Sequence, residues 1–193
     1  MITSYKLPLH FDPQRLQADL ALIAPDEWVS HFNTQIYEGD WSGVALRSVR
    51  GAALQLYPDP AAQGAFADTE ILARCAYFQE VLAAFTCELE SARLLKLRAG
   101  SHIREHRDYR LALEDGVFRI HVPVETNPDV QFYLQDRRIE MHVGEAWYLN
   151  LNLPHRVENH SATDRVHLVI DGIVNDWVRS IIPAAVGDAA PAL

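Results

Sequence analysis

Val117-Phe118-Arg119-Ile120-His121-Val122-Pro123-Val124 is the stretch whose reading decides the fold. Phe118, Ile120, Val122 and Val124 fall on one side of an extended chain, and Arg119, His121 and Pro123 on the other, because successive strand side chains point to opposite faces. The segment 164–173 repeats the arrangement, with Val166, Leu168 and Ile170 on one side and Arg165, His167, Val169 and Asp171 on the other. The two polar rows fit either a solvated outer face or the cationic wall of a site inside a sheet that curls on itself.

Period-two patterning sets in after Ser91 and predicts strands at 92–98, 102–108, 117–124, 130–135, 139–143, 146–151 and 164–173. Turn signals separate them: Ala99-Gly100-Ser101, Glu114-Asp115-Gly116, Asn127-Pro128-Asp129, Gln135-Asp136-Arg137, Val143-Gly144-Glu145 and Leu153-Pro154. Seven short strands at near-even spacing predict an antiparallel barrel or a double-sheet jelly roll. Upstream, residues 1–10 predict an edge strand interrupted by Pro8. Asp12-Pro13 predicts a helix start, and Pro25 its end. Residues 28–57 predict two or three strands, among them Ala45 to Val49 and Ala53 to Tyr57, and Pro58-Asp59-Pro60 a loop. Ile71, Cys75, Phe78, Leu82, Phe85 and Leu89 recur at alternating steps of four and three, which predicts one helix over 68–90 lying against the outside of a sheet. Residues 187–193 are expected to fray.

Size and charge narrow the function. A chain of 193 residues suits one domain with a sizeable core; 1–90 would supply strands and supporting helices, and 91–177 the jelly-roll core. A net charge of −9 without a basic stripe excludes nucleic acid as the main partner. No apolar run reaches membrane-span length, and the N-terminus carries no export signal. Cys75 and Cys87, both placed in the expected helix, form no metal or disulfide framework and read as reduced thiols of a cytoplasmic protein.

His106-Arg107-Asp108, with His155 far downstream, has the spacing of a 2-His-1-carboxylate triad, the ligand set that holds non-heme Fe(II) on one face and leaves positions open. In a strand, residues two apart share a face, so one segment delivers both ligands. The third must come from another strand brought close by a curled sheet. The competing reading is a solvated charged run from Arg104 to Arg110. His142 and His160 read as exposed, His167 as a support for Arg165, and Trp41 and Trp147 as core; Arg93 and Arg98 are left unassigned.

Residues 30–177 resemble the aspartyl/asparaginyl β-hydroxylase family of Fe(II)/2-oxoglutarate-dependent oxygenases, which includes bacterial proline hydroxylases. The resemblance is carried by 99–108, by Arg119-Ile120-His121-Val122-Pro123, by Gly144-Glu145-Ala146-Trp147-Tyr148-Leu149-Asn150, by 154–159 and by Arg165, ten residues beyond His155. It implies a mainly β fold with flanking helices, a double-stranded β-helix (a cupin-like jelly roll). His106, Asp108 and His155 would ligate Fe(II), Arg165 and His121 would bind 2-oxoglutarate, and Arg119 would grip a substrate carboxylate, with O2 as co-substrate. Vertebrate members carry glycine at the carboxylate position; Asp108 here points towards freestanding bacterial hydroxylases of small amino acids. Leu95 stands where those enzymes use a serine towards 2-oxoglutarate. The expected activity is hydroxylation of a small-molecule amino acid, L-proline first. The alternatives are β-hydroxylation of Asp or Asn in a peptide or on a carrier, and a 2-oxoglutarate-binding protein without turnover.

Overall fold

A computed structural model describes residues 1–56 and 64–182. The expected loop at 58–60 and the tail 187–193 lie outside them.

The strands are β1 (Ser4–His10), β2 (Val29–Ser30), β3 (Tyr37–Glu38), β4 (Trp41–Val49), β5 (Phe66–Asp68), β6 (Leu89–Leu97), β7 (His102–His106), β8 (Val117–Glu125), β9 (Val130–Leu134), β10 (Arg137–Ile139), β11 (Glu145–Leu149), β12 (His155–Asn159) and β13 (Arg165–Ile173). An eight-stranded sheet runs β1-β11-β8-β13-β6-β4-β2, with β5 paired to β4; a five-stranded sheet runs β10-β9-β12-β7-β3. From β6 onward the chain passes back and forth between the two, β6, β8, β11 and β13 lying in the larger sheet and β7, β9, β10 and β12 in the smaller. This is a double-stranded β-helix. Strands from the first part of the chain join the same sheet: β1 pairs with β11, and β4 with β6.

Alternation along the strands builds two cores. Phe118, Ile120, Val122, Val124, Val166, Leu168 and Ile170 point outward from the larger sheet. They pack against α1 (Pro13–Leu20), α2 (Glu70–Ala73), α3 (Ala76–Ala83) and α4 (Asp176–Ile181). Leu95, Leu97, Leu149 and Val169 face the other way and meet Ile103, Phe132, Leu134 and Val157 of the smaller sheet. The polar rows of β8 and β13 share that inner side. Arg165, His167, Asp171 and His121 are buried, which settles the two readings in favour of an interior wall.

Several expectations need correction. The single helix over 68–90 is two helices, broken at Arg74-Cys75. Asp19 of α1 accepts the Phe78 N–H at 2.8 Å, so a side chain from elsewhere satisfies a first-turn donor of α3 and lets the chain restart. Ile71, Cys75, Phe78, Leu82 and Phe85 are nonetheless all buried: the periodicity reported the side that faces the sheet, not an unbroken helix. Cys75 is therefore a helix cap and Cys87 lies beyond α3; both are free thiols, pushed up to about 11 by burial. No strand forms at 53–56. The strand expected at 139–143 lies at Arg137–Ile139, because Gln135 and Asp136, at φ 49 and 61, turn the chain in a tight hairpin. The strand β12 was missed altogether. Gly144, at φ +85, closes the β10–β11 connection so near β1 that a Cβ would stand 2.2 Å from the Phe11 carbonyl. Asp12 caps α1 through the Gln14 and Arg15 N–H groups, as its position before Pro13 predicts. Among the described residues no helix is long and apolar enough to cross a membrane.

Candidate active site

The two sheets enclose a cavity of about 500 Å³, a size that suits a small molecule. All six residues singled out from the sequence line it: His106, Asp108, Arg119, His121, His155 and Arg165.

The smaller sheet, with the segment that follows β7, brings together three residues that could hold a metal ion. In the β12–β7 pairing His155 lies directly opposite His106, and cross-strand neighbours of this kind have Cβ atoms only about 5 Å apart. Their rings are 4.2 Å apart. Asp108 lies past the end of β7, which stops at His106, so it does not share a strand with that histidine as expected. Its N–H donates to the Leu151 carbonyl at 2.9 Å, which holds the segment in place. One ligand atom from each of His106, Asp108 and His155 lies within 4.8 Å of the others. The His106 and His155 Nδ1 atoms sit 2.9 and 3.0 Å from the Arg104 and Leu153 carbonyls. A carbonyl only accepts, so Nδ1 carries the proton and Nε2 is left for a metal. Burial, then His106, lowers His155 to about 4, so the ring is neutral and ligand-competent at neutral pH. Two imidazoles and one carboxylate are the donor set that suits ferrous iron.

The larger sheet supplies the charged wall. Register places Arg119 opposite Asp171. Arg119 grips Asp171 through Nε at 2.6 Å and Nη2 at 2.9 Å, and reaches Asp108 Oδ2 through Nη1 at 2.6 Å. Asp108 thus spends one oxygen on Arg119 and turns the other, Oδ1, towards His106 Nε2 at 3.8 Å. Asp171 also accepts from Ser91 at 2.9 Å and from Arg93 at 3.1 Å. Burial alone would raise the Asp171 carboxyl; Arg119 and Arg93 hold it far below the usual carboxylate range.

At the other end of the same row, Arg165 is 2 % exposed and donates through Nη2 to His167 Nδ1 at 2.8 Å. Burial lowers its guanidinium to about 9, still cationic at neutral pH. His121 Nδ1 lies 3.3 Å from the same His167 nitrogen. Arg165 Nε and His121 Nε2 are buried and have no hydrogen-bond partner among the described residues. Buried polar atoms are nearly always satisfied, so the unsatisfied guanidinium N–H of Arg165 in the cavity wall marks the place of an anionic group, with His121 Nε2 as a second polar atom beside it. Leu95 also lines the cavity and, being aliphatic, donates nothing there. His31 and Trp41 add an aromatic wall, stacked at 3.6 Å; burial, then Arg93 and His106, lower His31 to about 4. Trp41, read as core, therefore lines the site, whereas Trp147 packs into the inter-sheet core and donates to Glu145 at 2.8 Å. The sequence left Arg93 unassigned and gave Asp171 no role. Their only signal was membership of a strand face that turned out to be interior.

Residues 11–174 match the family described as aspartyl/asparaginyl beta-hydroxylase. The chain belongs to that family. It is 28% identical over 173 residues to an L-proline cis-4-hydroxylase of Rhizobium meliloti (strain 1021), a match that covers 89% of this chain and 61% of that one. This member of the aspartyl/asparaginyl β-hydroxylase family therefore spans about 61% of the length of its curated relative. Among solved structures, a 2-oxoglutarate-Fe(II) oxygenase-family oxidoreductase from Burkholderia pseudomallei superposes with a TM-score of 0.54 at 17% identity, covering 89% of this chain and 86% of that one. A prolyl-4-hydroxylase from Pseudomonas putida gives 0.52 at 14%, covering 89% and 92%. At these identities the structures share the β-helix fold with this family member.

Proposed function

We propose that the chain is an Fe(II)- and 2-oxoglutarate-dependent hydroxylase of a small free amino acid, with L-proline the first substrate to try. The convergence of His106, Asp108 and His155 at one cavity that also holds the buried Arg165 guanidinium, whose Nε has no partner among the described residues, carries this reading. The name of the Rhizobium relative supports proline.

The residues divide the work. His106, Asp108 and His155 hold the metal, with the two Nδ1–H groups pinned to backbone carbonyls so that the rings cannot swing. Arg165 pairs with the distal carboxylate of 2-oxoglutarate, and His121 gives a second polar contact, in a pocket dry enough to strengthen both. When bound, ferrous iron, 2-oxoglutarate and O2 supply the oxidation, which yields succinate, carbon dioxide and a hydroxylated product. Arg119 keeps Asp108 turned so that one oxygen faces the metal position, and presents a cation to the substrate carboxylate from the cavity wall. Leu95, Val169 and Phe132 line the space between these charged ends and exclude water. Positioning of this kind matters because a misplacement of about 1 Å can cost ~100-fold in rate.

The test is succinate release from 2-oxoglutarate with free amino acids, L-proline first, set against peptides containing Asp, Asn or Pro. Stimulation by a free amino acid with a hydroxylated product is the expected result. Stimulation by peptides alone would move the assignment to peptide β-hydroxylation. 2-Oxoglutarate binding with no stimulation by any of them would leave a binding protein.

A further inference from the structure

Among the described residues three carboxylates line the cavity: Glu90, Asp108 and Asp171. Two are committed. Asp108 belongs to the metal-ligating set and pairs with Arg119. Asp171 accepts from Arg119, Arg93 and Ser91. Glu90 is different: it makes no hydrogen bond or ion pair with any described residue. It is half-buried near the start of β6, beside the irregular pairing of β6 with Ile170 and Gly172 of β13.

The cavity's own cations do not serve it. Arg119 is held by Asp108 and Asp171, Arg165 donates to His167, Arg107 donates to the Asn152 carbonyl at 3.2 Å, and Arg110, the fourth arginine of the lining, forms no ion pair with Glu90. Burial, then Asp171 and Glu88, push the Glu90 carboxyl up from its ordinary value, so this corner of the wall carries negative potential that no ion pair with a described residue balances. An unpaired, partly desolvated carboxylate in a binding cavity is costly unless a ligand brings the opposite charge.

We propose that Glu90 is the counter-ion for a positively charged nitrogen of the substrate, so that the site takes an amino acid with a free primary or secondary ammonium group and rejects one whose nitrogen is acylated in a peptide. The inference rests on the hydroxylase reading and specifies its substrate class. A charged N–H donor to a carboxylate is roughly twice as strong as a neutral one. An amide nitrogen brings no charge and, at proline, no hydrogen, so Glu90 would stay unpaired.

Protein loaded with Mn(II) and 2-oxoglutarate under argon separates binding from turnover. Calorimetry then reads the affinity for free L-amino acids, L-proline first, and for their N-acetyl forms. Wild-type protein should prefer the free amino acid, and Glu90→Gln should weaken that affinity about tenfold or more, in line with the net value of hydrogen bonds to charged groups. Affinity for the N-acetyl form should change little, so the discrimination collapses. A Glu90→Gln protein that keeps the full preference overturns the inference, as does wild-type protein that takes up 2-oxoglutarate but binds no free amino acid or prefers N-acetyl forms. Wild-type protein that takes up no 2-oxoglutarate sinks the hydroxylase reading itself, and this inference with it.

Discussion

The larger sheet has two buried faces with opposite chemistry. Its outer side packs Phe118, Ile120 and Leu168 into a large apolar cluster with the helices. Its inner side buries Arg93, Arg165, His121, His167 and Asp171 from three of the same strands. Burying apolar area is the main favourable term in folding, at roughly 25 cal/mol per Å², whereas burying charge costs free energy unless every group is paired. One face therefore holds the fold, and the other retains groups whose proposed use is to bind ligands. Pairing is uneven along the inner face. The Asp171 end is cross-linked by two arginines and a serine, while the Arg165 end keeps an unsatisfied nitrogen.

That contrast can be broken by mutation. The largest effect should come from the metal-ligating set: His106→Ala and Asp108→Ala should each lower iron-dependent succinate release by about 1,000-fold or more, a loss of over ~4 kcal/mol of transition-state stabilisation. His106→Ala should leave the apoprotein's Tm little changed, Asp108→Ala should lower it because Arg119 loses a carboxylate, and full activity in either would remove the ligand assignment. Asp171→Asn crosses the divide. It strips the shared partner from Arg93 and Arg119 inside the protein, so stability in denaturant titration should fall by about 3–5 kcal/mol, as for a broken buried ion pair. A neutral result would show that these arginines find other partners.

On the outer face, Leu168→Ala should cost about 2–5 kcal/mol of stability, with metal and 2-oxoglutarate affinity of the folded protein preserved; impaired binding at full stability would contradict the division of labour. Arg165→Leu should do the reverse, weakening 2-oxoglutarate binding about 100-fold, the lower range for losing one partner of a buried charge pair. It should leave the apoprotein as stable or more so, because a desolvated guanidinium is gone.

A further effect is on acid stability. His31 and His155 sit at about 4 in the folded chain, below the ~6.5 of an unfolded histidine. The unfolded chain takes up protons first, so apoprotein stability is full above about pH 6.5 and falls as pH drops towards 4. Tm measured between pH 7 and 4.5 should decline across that window, and a flat profile would mean the interior histidines are wetter than their burial indicates.

Much of this was legible along the chain. Alternation is local, since each residue's neighbours in sequence fix which way it points; it located the strands around Arg119, His121 and Arg165 to within a residue or two. The H-x-D spacing, with His155 and Arg165 ten apart, named the ligand candidates. The same local rules misread 68–90, where the cap comes from Asp19, distant in sequence, and overlooked β12, a strand too short and polar to announce itself between β7 and β9.

The chain's own text determined which residues could ligate iron and which faces of the strands were polar, because side-chain chemistry and period-two geometry need nothing beyond neighbouring residues. Only the folded sheets decided that the polar faces look inward, that His155 stands across from His106, and that Arg119 is shared between Asp171 and Asp108 while the Glu90 side chain finds no partner among the described residues. Pairing between strands far apart in sequence is set by register and by how the sheets close, and no local pattern encodes which charge meets which.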